Sequence, residues 1–194
     1  MGLSIHYSGH LSQPSRLEEL ITEVADISKS LGWTSQIIRE PNTDKLNGIC
    51  FAPEGSESIF LTFLPGGRLC SPINLMCRDI YQKNGLDSEL LYTASTKTQF
   101  AGFDAHVAVI KLLRYLKEKY FSVFEMMDEG MFWETNDLKV LQSQFDKYEY
   151  ALNAVTDALS KMKHIPGETA SSLADRIEEM LKREPGNDED QQEI

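Results

Sequence analysis

Two short runs set the fold class: Gly48-Ile49-Cys50-Phe51-Ala52, ended by Pro53-Glu54-Gly55, and Ile59-Phe60-Leu61-Thr62-Phe63-Leu64, ended by Pro65-Gly66-Gly67. Both are β-prone, and each is followed within a few residues by turn formers. Pro65-Gly66 suits the centre of a type II turn, which predicts a hairpin pairing residues 59–64 with 68–73. Strands joined this tightly have no room for a crossover helix, so they pair antiparallel. A doubly wound parallel sheet is excluded. Residues 34–40 precede this block as a strand, with Pro41-Asn42-Thr43-Asp44 as a turn. Residues 90–100, rich in Thr and Ser, follow it as a long, half-exposed strand.

Working outward, Leu3-Ser4-Ile5-His6-Tyr7-Ser8 alternates apolar and polar, the period of a strand with one covered face. Leu17, Leu20, Ile21, Val24, Ile27 and Leu31 then recur at helical spacing. Ser15 and Glu18 are placed as a capping box and Gly32 as the stop. A second helix is predicted from about Asp104, read as its N-cap, to Tyr120, on the stripe Ala105, Val109, Leu112, Leu113, Leu116 and Tyr120. Residues 121–127 are β-prone. A short helix is one reading of residues 75–83, and Asn84-Gly85 reads as a turn. With only two helices among six or seven strands, the expected fold is α+β: a mainly antiparallel sheet, two helices packed on one face, then a C-terminal α-helical hairpin. Large apolar groups on both sides of residues 59–64 imply that the second sheet face is partly covered too.

The last third has a different texture. Between Asn136 and His164 there is no Gly or Pro, and Leu138, Leu141, Phe145, Tyr148, Leu152, Val155, Leu159 and Met162 alternate spacings of three and four. That is a heptad seam on a helix about 43 Å long at ~1.5 Å per residue. Ile165-Pro166-Gly167 breaks it. Ala170, Leu173, Ile177 and Met180 or Leu181 make a shorter stripe, with Ser171 or Ser172 as its cap. The shorter helix cannot hide the whole seam, and each large apolar side chain left wet forgoes roughly 1.5–3 kcal/mol. The seam therefore needs either its own body or a second copy. The expected division is residues 1–135 as the α+β body, 136–183 as the helical hairpin and 184–194 as an acidic, disordered tail.

The 194 residues carry 19 Lys and Arg against 30 Asp and Glu, a net charge of −11. Residues 1–135 hold 12 basic and 17 acidic groups, and residues 136–194 hold 7 and 13. Phosphate backbones and anionic membranes are repelled by such a chain, so no nucleic-acid or membrane partner is expected. The three cysteines, Cys50, Cys70 and Cys77, show no metal or disulfide spacing. There is no signal segment and no apolar run of spanning length, so a cytoplasmic location is expected.

Motifs that would name a chemistry are missing: no phosphate loop, dinucleotide fingerprint or GxSxG elbow, and no cofactor is expected. The residues left as catalytic candidates are His6, Tyr7, Gln99 and His106; His6, His10 and His106 are the candidates for a metal site, weighed against solvated or helix-end histidines. The joint at residues 96–103 could bind an anion at a helix start, but it reads better as an ordinary connection. Glu125, Asp128, Glu129 and Glu134 around Phe132-Trp133 could pair as functional carboxylates; the plainer reading is a turn and an apolar anchor between the two parts.

Gly2 to Gly9, Gly32-Trp33, Lys97-Thr98-Gln99-Phe100-Ala101-Gly102, His106 and residues 112–121 resemble a family of small uncharacterised bacterial proteins, over residues 1–150 or so. The resemblance implies a bacterial cytosolic protein with an α+β body and no assigned activity. Two functions are thus expected: an interaction protein that binds a protein partner or itself through the helical part, or a small enzyme using His6 and His106 as acid–base groups on an open sheet face.

Overall fold

The computed structural model describes residues 3–39, 46–78, 90–161, 167 and 169–183. Its strands are β1 (Ser4–Leu11), β2 (Thr34–Arg39), β3 (Asn47–Ala52), β4 (Ile59–Phe63), β5 (Ala94–Lys97) and β6 (Phe121–Asp128). Its helices are α1 (Leu17–Ser30), α2 (Pro72–Met76), α3 (Phe103–Tyr120), α4 (Phe132–Thr135), α5 (Leu138–Lys161) and α6 (Ala170–Arg183). All strand pairings among the described residues are antiparallel, and the fold is of mixed α+β class.

Instead of the one sheet expected, the described residues form two of three strands, ordered β5-β1-β6 and β2-β3-β4. They meet where the stretch after β4 turns back. Phe63 bridges Leu69 while Arg68 bridges His10; Leu69 N–H donates to Gly9 O, and Leu11 N–H to Gly67 O. The predicted hairpin forms, but only as far as Cys70, whose N–H reaches Thr62 O at 3.0 Å. Beyond it Ser71 caps α2 through Asn74 N–H, so the strand expected to residue 73 gives way to a helix over residues 72–76, the start of which precedes the short helix read at 75–83. Residues 90–100 likewise give only four strand residues, flanked by 3₁₀ turns at Leu90–Tyr92 and Gln99–Ala101.

One apolar core fills the body. It takes Ile5, Tyr7 and Leu11 from β1, Leu20, Ile21 and Val24 from α1, and Ile49, Leu61 and Phe63 from β3 and β4. Val109, Leu113 and Leu116 join from α3 and Leu141 from α5. Most of the two helix stripes is thus buried as the spacing predicts; Leu17, Ile27 and Ala105 are half-buried, and Leu31, just past α1, is 50% exposed. Beside the core, α1 and α3 are tied by polar contacts: Lys119 reaches Glu23 at 2.9 Å, and Arg16, itself bidentate to Glu19, donates to Lys119 O at 3.0 Å. The hydroxyls of Tyr115 and Tyr120 donate to the same Glu23 carboxylate. Burial raises the Glu23 carboxyl, but these three donors hold it below its ordinary range.

The caps differ from expectation. Residues 14–16 form a 3₁₀ turn ahead of α1, whose N-cap is Arg16 without a side-chain bond; Ser15 and Glu18 form no capping box. Gly102, at φ 86°, begins α3, and Asp104 sits in its first turn, favoured there by the helix dipole rather than as N-cap. Thr169, not Ser171 or Ser172, takes the capping role at α6, accepting from Ser172 N–H.

The chain separates into two compact units, Met1–Phe145 and Asp146–Ile194. The boundary falls ten residues later than expected because Leu141 is fully buried and Phe145 packs edge-on against the rings of Phe103 and His106. The second unit holds the rest of α5 and α6. Along α5, Leu152 and Leu159 are 51% and 46% exposed, with Val155 half-buried. The turns expected at residues 41–44 and 84–85, residues 79–83, Met162, the break at 165–166 and the acidic tail from 184 lie outside the described residues.

Candidate functional site

The candidates fall on opposite sides of the β5-β1-β6 sheet. Residues directly across an antiparallel pair share a face. Ile5, buried, stands opposite Asp128 and Thr96; His6 stands opposite the exposed Met127 and Ser95. Asp128 and His106 therefore lie on the core side and His6 on the open side. The two histidines proposed as one acid–base pair are separated by the sheet itself, and that arrangement is ruled out.

On the core side His106 is fully buried between two partners. Its Nδ1 lies 2.7 Å from Thr98 Oγ1, and its Nε2 lies 3.2 and 3.3 Å from the two oxygens of Asp128. The carboxylate can only accept, so Nε2 carries a proton, and the Thr98 hydroxyl serves Nδ1 by donating or accepting. Asp128 also accepts N–H bonds from Gly130 (2.7 Å), Phe132 (2.8 Å) and Trp133 (3.0 Å). Burial alone would raise its carboxyl, yet the His106 bond and charge and the backbone donors hold it below the ordinary aspartate value. A Cβ on Gly130 would come within 2.6 Å of a Leu141 methyl and 3.0 Å of Asp128 Oδ1 and His106 Nε2, so a larger residue would have to displace Leu141 and crowd the pair. At the other end of α4, Arg114 bonds Asn136 Oδ1 and the carbonyls of Phe132 and Trp133. The cluster fastens the 128–136 turn and, through Phe145 and Leu141, the start of α5.

Tyr7 is also a core residue. Its hydroxyl donates to Phe60 O at 3.1 Å and accepts from Phe60 N–H at 2.9 Å, joining the two sheets. Burial pushes its hydroxyl up to about 12, which removes it as an acid–base group near neutrality. Gln99 lies half-buried in the 3₁₀ turn before α3, with Oε1 buried and unbonded, and no candidate partner is brought to it.

The open face carries His6, Ser8 and His10 in a row, with Glu125, Val123 and Met127 beside them on β6. His6 Nδ1 meets Ser95 Oγ at 2.7 Å, and its Nε2 is 4.0 Å from Glu129. His10 Nδ1 donates to Leu11 O, leaving Nε2 as its outward atom. A groove of about 330 Å³ runs over Ser8, His10, Arg68, Tyr92, Thr93 and Glu125. The Arg68 guanidinium lies 3.5 Å over the Tyr92 ring, a contact between distant loops that no spacing in the chain announces.

Four residues of extended strand span about 13 Å, so His6 and His10 cannot share one ion, and His106 is across the sheet. The three-histidine metal site does not form, and among the described residues no group of three His, Cys, Asp or Glu is placed to hold a metal ion. The acidic run also disperses: Glu129 accepts Ser4 N–H, Glu134 accepts Asp128 N–H, and Asp128 serves His106. Asp128 as the partner of His106 was the functional group missed. Asp128 was read as one of an acidic run and, more plainly, as part of a turn before Gly130, and nothing local tied it to a helix 22 residues back.

No helix of the described residues is long and apolar enough to cross a membrane. No family model matches the chain, and neither a curated protein nor a solved structure matches it.

Proposed function

We propose that this chain is a non-catalytic interaction protein of the bacterial cytoplasm, associating with a second copy through the α5 seam beyond Phe145. The observation that carries the reading is the exposure of Leu152 and Leu159, 51% and 46%, at successive positions of an unbroken heptad. Buried apolar area drives helix pairing, and wet leucines at such positions are what a partner helix removes from water. The flanks of the seam favour a like partner. Residues that meet across a parallel pair would be Gln144 with Glu149 and Ala151 with Thr156, so no like charges are opposed. The net charge of −11 supports a protein partner over nucleic acid, and the three free cysteines fit a reducing compartment.

Sedimentation equilibrium of the full chain and of the Leu152→Glu/Leu159→Glu variant tests the reading. The wild type should associate with rising concentration, and the variant should lose that association while keeping the thermal transition of the body. Equal masses for the two chains at every concentration overturn it.

A further inference from the structure

Sheet edges attract other strands unless they are covered or spoiled, so each edge here has to be accounted for. The outer edge of β5 is covered: Glu57 N–H bonds Lys97 O at 3.0 Å, and the Glu57 carboxylate accepts Lys97 N–H at 2.9 Å. The outer edge of β4 is covered at Phe60 by the Tyr7 hydroxyl and at Thr62 by Cys70 N–H. β6 is spoiled by a bulge where Leu11 pairs Phe121 while His10 pairs Val123, by the exposed Glu125, and by Glu134 on Asp128 N–H. β2 has none of these. It runs in unbroken register with β3 from Thr34 to Arg39, and among the described residues nothing pairs with its other side. Its sequence, Thr-Ser-Gln-Ile-Ile-Arg, holds no proline, no bulge and no charge until Arg39, which is already paired with Glu18 at 2.6 Å. Ile37 is 50% exposed.

We infer that β2 is a second self-association edge, distinct from the α5 seam, at which two copies pair antiparallel into one six-stranded sheet ordered β4-β3-β2-β2-β3-β4. Only an extended backbone can take up the row of N–H and C=O groups that β2 presents. A second β2 fits this edge without conflict. A two-fold through Ile37 sets Ile37 against itself, Gln36 against Ile38 and Ser35 against Arg39, so no charge faces its like and the apolar residues meet. The opposing force is the general repulsion of two chains of net charge −11, which salt screens over about 8 Å at physiological strength. Association through β2 therefore strengthens as salt is raised. Together with the seam, two isologous interfaces with different two-fold axes give four chains as the smallest closed assembly.

Native mass spectrometry and light scattering on the full chain test this with four proteins: wild type, Ile37→Lys, Leu152→Glu/Leu159→Glu, and all three changes together. The exposure of Ile37 lets the lysine fold, and Ile37→Thr is the control that keeps a β-branched edge. The expected order is four chains, two, two and one, with Ile37→Thr behaving as wild type and with slower amide exchange in β2 at high concentration. If Ile37→Lys has the wild-type mass and its β2 amides exchange alike at all concentrations, the β2 edge is not an interface, whatever the seam variant does. If Leu152→Glu/Leu159→Glu alone leaves the mass unchanged while Ile37→Lys lowers it, the seam fails and the edge stands.

Discussion

The two faces of the β5-β1-β6 sheet are made from the same residue types and put them to opposite use. On the inner face the polar groups Tyr7, Thr98, His106 and Asp128 are each closed off from water and each bonded to a named partner. On the outer face His6, Ser8, His10 and Glu125 stand half-buried or exposed, with water free to replace any bond they lose. The difference teaches that a histidine or an aspartate in this chain takes its role from the side of the pleat, not from its type. A group sealed on the core side cannot be removed without stranding its partner, whereas one on the open side can.

The contrast is sharpest at Asp128. Replacing it with alanine leaves the His106 ring and the Gly130 and Phe132 N–H groups buried without an acceptor, and the half-buried Trp133 N–H without its partner, so Asp128→Ala should cost about 3–5 kcal/mol, as for removal of one member of a buried pair. Urea unfolding followed by far-UV circular dichroism measures this, and a loss under about 1 kcal/mol would mean that water enters the site and the inner face is not sealed. The acid limb carries the same information. The native carboxyl lies below its unfolded value, so its contribution is present above the ordinary aspartate range and is lost as pH falls through the lowered value. Asp128→Ala should flatten that part of the acid limb.

Tyr7 comes next. Tyr7→Phe keeps the ring in the core but leaves Phe60 N–H and C=O unpaired where the two sheets join, a cost of about 1–3 kcal/mol. It also has an alkaline signature. The hydroxyl is raised from 10.0 to about 12 in the fold, so its contribution is complete below pH 10 and is lost as pH rises toward 12. Chemical unfolding at pH 9 and pH 11 should show wild-type stability falling between the two and the Tyr7→Phe variant falling less. Parallel falls would place the Tyr7 hydroxyl in contact with solvent.

How much of this could be read from the chain follows the range of each interaction. The antiparallel class, the burial of Leu3, Ile5 and Tyr7, and the core stripes of α1 and α3 all rest on periodicity within one element, and the structure agrees with them. The openness of the His6 side was legible for the same reason. The split into two sheets was not, because it depends on Arg68 and Leu69 crossing to β1, a contact of nearly sixty residues' separation. The joining of His106 to Asp128 and of Arg68 to Tyr92 was equally beyond local pattern. The heptad from Leu138 was read correctly as a helix, but its division was not. The first two seam residues past Leu138 enter the body because Gly130 leaves room for the Leu141 methyl and because Phe103 and His106 offer ring faces to Phe145. Those are properties of the pocket, invisible in the spacing of the helix that fills it.

The smallest effects should come from the outer face, and they complete the comparison. His6 has a good bond to Ser95, but both partners can turn to water, and its approach to Glu129 is a half-exposed pair at 4.0 Å. Pairs of that kind contribute about 0–1 kcal/mol. His10 bonds only the neighbouring carbonyl of Leu11 and is exposed. His6→Ala and His10→Ala should therefore each change stability by no more than about 0.5 kcal/mol. The two sites are about 13 Å apart along the strand, so the double variant should equal the sum of the single ones. Urea midpoints of the three variants settle it. A cost above about 2 kcal/mol for His10→Ala would mean that the imidazole is wedged into the groove beside Arg68 as a packing element, and the outer face would then have to be counted as a second core rather than an open surface.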